Sequence, residues 1–71
     1  MLPDGTYDVF VVDARLAGDV LHLDVTILAG DHKGEVVSVQ AEGLLVDELE
    51  ALGMPGTLFV RDGTPRIALE P

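Results

Sequence analysis

The chain is 71 residues and 7.5 kDa, which points to a single domain over 1–71 with one small core. A hydrophobic share of 48% and a mean hydropathy of +0.36 exclude a disordered tail. The absence of cysteine excludes a disulfide scaffold, a thiolate metal site and a cysteine nucleophile. Thirteen Asp/Glu against four Lys/Arg give a formal net charge of −9, a field that repels polyanions and anionic lipid and favours basic partners. The same Asp- and Ala-rich composition also follows from a GC-rich or salt-adapted genome. No apolar run has the length of a membrane span, and the start Met1-Leu2-Pro3-Asp4 lacks the basic residues of a signal peptide. A soluble, cytoplasmic chain without membrane contact is the expectation.

In chain order, Pro3-Asp4-Gly5 is turn chemistry, and Thr6–Arg15 is rich in β-branched and aromatic residues and predicts a strand. Asp8 and Asp13 fall on opposite parities of that strand, which predicts a bulge or a bend between them. Tyr7 and Phe10 are assigned to its core face. Gly18-Asp19 marks a hairpin turn. Asp19–Leu28 then alternates cleanly: Leu21, Leu23, Val25 and Ile27 on a buried face, His22, Asp24 and Thr26 on the other. After the glycine-bracketed loop Gly30-Asp31-His32-Lys33-Gly34, Glu35–Ala41 predicts a third strand with Val37, Val39 and Ala41 inward and Ser38 and Gln40 outward.

The period then changes. Leu45, Leu49 and Leu52 form a helical stripe, Asp47 and Glu50 have capping-box spacing, Gly53 sits at the C′ position and Pro55 stops continuation. The expected helix is about two turns long and has to dock its leucines on a sheet. Thr57–Arg61 and Thr64–Leu69 follow as strands joined by Asp62-Gly63, a strong type I′ hairpin signal. Pro65 places the last strand at an edge, since proline has no N–H to give a neighbour.

Strand, strand, strand, short helix, strand, strand is the plan of the OB-fold, a five-stranded Greek-key barrel. The predicted class is all-β with one short helix, an OB-like barrel, with an SH3-like barrel as the alternative. Gly5-Thr6-Tyr7, together with Val25–Gly34 and its Gly-x-x-Lys-Gly loop, resembles the first half of the phage-type single-stranded-DNA-binding proteins with OB-folds. The Lys-Gly loop is also similar to the KOW motif of SH3-like ribosome and transcription modules. Either resemblance implies a nucleic-acid-binding barrel.

Single-strand binding needs aromatic platforms along a basic groove. Phe59 has the opposite parity to Leu58 and Val60 and is the best platform candidate, or else a ring covered by the far side of the barrel or a neighbouring subunit. Lys33, His32 and Arg61 are the cationic or titratable residues that would join it. His22, Asp24, Thr26, Ser38 and Gln40 would line the outer face of strands two and three, where OB-folds bind ligand, with His32 and Lys33 at its rim. No nucleophile–base–acid pattern surrounds Ser38, and the histidines lack metal-ligand spacing, so no enzyme, cofactor or metal is expected. The glycine loop joins two strands and is not a phosphate cradle. The expected function is a non-enzymatic module that binds protein or peptide, by strand addition near Pro65–Leu69 or at the first strand, with self-association as a further route. The alternative is single-stranded nucleic acid, which the charge disfavours.

Overall fold

The computed structural model describes residues 2–42 and 48–70. Its elements are β1 (Gly5–Ala17), β2 (Val20–Ile27), β3 (Val36–Glu42), α1 (Glu48–Ala51), β4 (Pro55–Arg61) and β5 (Thr64–Leu69). All five strands join one antiparallel sheet in the order β3-β2-β1-β4-β5. A three-strand meander whose next strand returns beside the first is a Greek-key path. The sheet curls into a half-barrel that brings β3 and β5 to Cα separations within 8 Å. A small all-β barrel with one short helix, as the order of elements predicts, is the fold.

β1 makes the curl possible. Its start pairs with β4 from Gly5 to Phe10 and its end pairs with β2 from Val9 to Ala17, so one long strand serves two neighbours. The register shifts between Val11 and Asp13, where the mismatched parities of Asp8 and Asp13 predict it. A bulge there bends the strand and restores the inward position to Ala14, which is buried. At the bulge the Val11 amide donates to Met54 O at 3.0 Å, and Gly53 N donates to Val11 O at 2.8 Å. Backbone groups that β4 cannot reach are thus satisfied by the segment leading into β4.

The inner face is aliphatic. Val9, Val11, Leu21, Leu23, Val25, Ile27, Val39, Leu58 and Val60 are buried, joined by the small residues Ala14, Ala41 and Ala51. Every second residue of β2 is in this set, as its alternation requires. Tyr7 packs against the core as expected. Phe10 does not join it: Val9 and Val11 hold the inward positions on either side, so Phe10 falls on the outward parity, opposite Thr26 and Pro55.

The helix differs from expectation in what it buries. Leu45 and Asp47 lie outside the described residues. Within α1 the residue over the core is Ala51, 0% exposed, whereas Leu49 is 81% and Leu52 44% exposed. The turn ends at Gly53 with φ 76, the left-handed C′ position where glycine is favoured, and Met54 N bonds Ala51 O at 3.0 Å. The short tether to Val11 holds this turn so close to β1 that only a small side chain fits beneath it. At the far end of the chain, Asp62 (φ 52) and Gly63 (φ 76) both take positive φ, as a type I′ hairpin demands.

Candidate functional site

Curling the sheet divides the chain's polar side chains into two outward surfaces. On the first, antiparallel register sets three rungs across β1, β2 and β3. Arg15, His22 and Gln40 form one, Asp13, Asp24 and Ser38 the next, and Phe10, Thr26 and Val36 the third. Ser38 Oγ donates to Asp24 Oδ1 at 2.7 Å, so this carboxylate already has a cross-strand partner. His22, Asp24, Thr26, Ser38 and Gln40 therefore do share one face, as the alternation predicts. The face is polar, and its half-covered Phe10 sits at one end.

His32 and Lys33 lie in the loop that joins β2 to β3, beyond the Thr26–Val36 rung. The loop between β2 and β3 is drawn under the start of β1: Leu28 N donates to Asp8 O at 2.8 Å, and the loop closes with Gly34 N on Ile27 O at 2.8 Å. There the His32 ring meets Tyr7 edge-on, with centroids 6.1 Å apart. His32 Nδ1 also bonds Glu35 Oε2, and Tyr7 in turn donates its hydroxyl to Pro3 O. His32 is thereby engaged by Tyr7 and Glu35, while Lys33 is exposed.

The second surface belongs to β4 and β5. Phe59 projects outward and is 45% exposed, on a strand whose Leu58 and Val60 point into the core. Register places Thr6 on one side of Phe59 and Arg66 on the other. Arg61, two residues along β4, shares its parity. Side chains directly opposite on one sheet face have Cβ atoms about 4.5–5.5 Å apart, so Arg66 flanks the ring and Arg61 adjoins it. These residues line an open groove of about 810 Å³, with Asp4 and Gly5 also in its lining. Among the described residues, neither guanidinium is held in an ion pair. Two of the four cations of a chain with net charge −9 thus meet around one exposed aromatic ring.

Arg66 is a residue that reading the motifs one at a time misses. The signal for it is present: a two-residue turn at Asp62-Gly63 pairs Arg61 with Thr64, and counting back pairs Phe59 with Arg66. Phe59 and Arg61 come together as expected. The groove does not include Lys33 or His32.

No family model matches the chain, and neither a curated protein nor a solved structure matches it.

Proposed function

We propose that the chain is a non-enzymatic binding module for a protein or peptide, which docks on the outer face of β4 and β5. The observation that carries this is Phe59 flanked by Arg61 and Arg66. An exposed apolar group rimmed by polar ones marks an interaction surface, and aromatic and arginine side chains supply most interface hot spots. The β2–β3 face offers hydrogen bonding and, at one end, half-covered Phe10 and exposed Val36, but no exposed aromatic ring between arginines, which makes it the weaker surface. The local charge reverses the expectation drawn from composition: this groove suits an acidic segment that carries an apolar residue, although the rest of the molecule suits basic partners. The Ser38–Asp24 hydrogen bond and the His32–Glu35 pair both lie outside the groove.

The Greek-key path, with a helix between β3 and β4, supports an OB-type barrel over an SH3-like one. It also bears on how a partner docks. β3 and β5 are the edge strands; β1 is central, but it pairs with β4 only from Gly5 to Phe10, so among the described residues its stretch from Val12 to Ala17 has no strand on that side. An added strand needs about 4.8 Å on each side, or roughly 10 Å between its neighbours. Where β3 and β5 approach within 8 Å there is no room for it. Docking on the face beside Phe59 needs no such gap.

Co-purification from the native host tests the function. Wild type and Gln40→Ala should retain the same partner, and Phe59→Ala and Arg66→Glu should lose it. Recovery as a partner-free monomer at micromolar concentration, or equal retention by all four proteins, contradicts it.

One observation favours a second reading, single-stranded nucleic acid: the same ring and its two guanidinium groups form a stacking platform with cations, where each stacked base contributes about 1–3 kcal/mol. Lys33, exposed at the same end of the sheet, would join them. Fluorescence polarisation with oligo-dT at low salt should then show binding that Phe59→Ala weakens, with affinity falling as salt rises. No binding at high protein concentration removes it.

A further inference from the structure

The groove has a complement on the chain itself. α1 presents Leu49, 81% exposed, and the residue just past its end, Leu52, is 44% exposed. Glu48 directly precedes Leu49 at the start of the helix. Apolar side chains with an acidic neighbour complement an aromatic ring with arginine neighbours in polarity and charge. A chain cannot fill its own groove with this turn. α1 leads through Gly53 and Met54 into the start of β4, whereas Phe59 and Arg61 stand near its other end, and a strand of seven residues spans about 20 Å.

We infer that a second copy of this chain is an occupant of the Phe59 groove, inserting its α1 turn with Leu49 against the ring and Glu48 toward Arg61 and Arg66. This rests on the groove of the proposed function but not on the identity of its partner. The contact is head-to-tail, since the surface given differs from the surface received, and so it produces a ring or an open chain of subunits. Two molecules of net charge −9 repel at long range, which sets the conditions. At about 0.15 M salt the screening length is about 8 Å, so distant like charges are largely hidden while groups in contact still attract.

The test uses complementary variants in analytical ultracentrifugation at about 0.15 M salt. Leu49→Asp with Leu52→Asp removes the inserting surface, and Arg61→Glu with Arg66→Glu removes the receiving one. All four positions are exposed, and circular dichroism checks that each variant keeps its fold. Wild type should form species larger than dimers as concentration rises. Each variant alone should bind itself at least about tenfold more weakly. Mixed together, they should form a one-to-one dimer that grows no further, because one intact helix and one intact groove remain between them. A wild type that stays monomeric at millimolar concentration overturns the inference, as does a mixture without the dimer or a helix variant that associates like wild type. If self-association fails but Arg66→Glu still abolishes capture of the native partner, the groove function stands and only the second-copy occupant falls.

Discussion

Leu23 and Leu49 are the same residue type in opposite settings, 1% and 81% exposed. Truncating a buried leucine costs its transfer free energy and leaves a cavity. Leu23→Ala should therefore lose about 2–5 kcal/mol in urea unfolding, against the roughly 3–5 kcal/mol that a core of this size supplies. Much of that variant should be unfolded at room temperature. Leu49→Ala should stay within about 0.5 kcal/mol of wild type, because nothing of the core surrounds it. Gly56 is constrained from the other direction. A Cβ there would lie 2.7 Å from Ala68 O and 3.3 Å from Leu69 Cα, both of them backbone atoms of β5. Gly56→Ala should cost about 1–3 kcal/mol through overpacking, lowering Tm by roughly 4–8 °C per kcal/mol in a calorimetric scan.

Between elements, the β4–β5 hairpin decides whether the groove exists. A slip of one residue would turn Phe59 inward and Leu58 outward, since side chains alternate along a strand. The type I′ turn holds the register, and its second position takes φ 76. Gly63→Ala forces an L side chain into the left-handed region and should cost about 1–2 kcal/mol in thermal unfolding. Because period 2 and turn chemistry are local, all five strands, the β1 bulge and this hairpin were legible in the sequence. So was the outward parity of Phe59 and Arg61. What α1 buries was not legible. A leucine stripe records which residues share a helix face but not how much room lies under it. That room depends on the bonds from Gly53 and Met54 to Val11, a contact across the sheet that no local pattern encodes. Phe10 escaped for a related reason, since in a run as apolar as Val9–Val12 only the register with neighbouring strands fixes the parity.

At the scale of the molecule, a chain of net charge −9 gathers two of its four cations in one groove, beside Asp4. The net charge of −9 repels like-charged molecules at long range and discourages polyanions, while Arg61 and Arg66 give the groove a local preference of opposite sign. Partner binding through that groove should weaken as salt rises, because its ion pairs lie at an exposed rim. Binding through the polar β2–β3 face, where Asp24 and Ser38 already bond each other, should respond much less. The claim that joins these scales is that Phe59 stands at the centre of the binding surface. The most direct measurement is site-specific photo-crosslinking in the native host, with a photoreactive phenylalanine analogue in place of Phe59 or, separately, of Gln40. A discrete crosslinked species is predicted from position 59, absent from position 40 and lost when Arg66→Glu is added. The same species from both positions, or none from position 59, would contradict it.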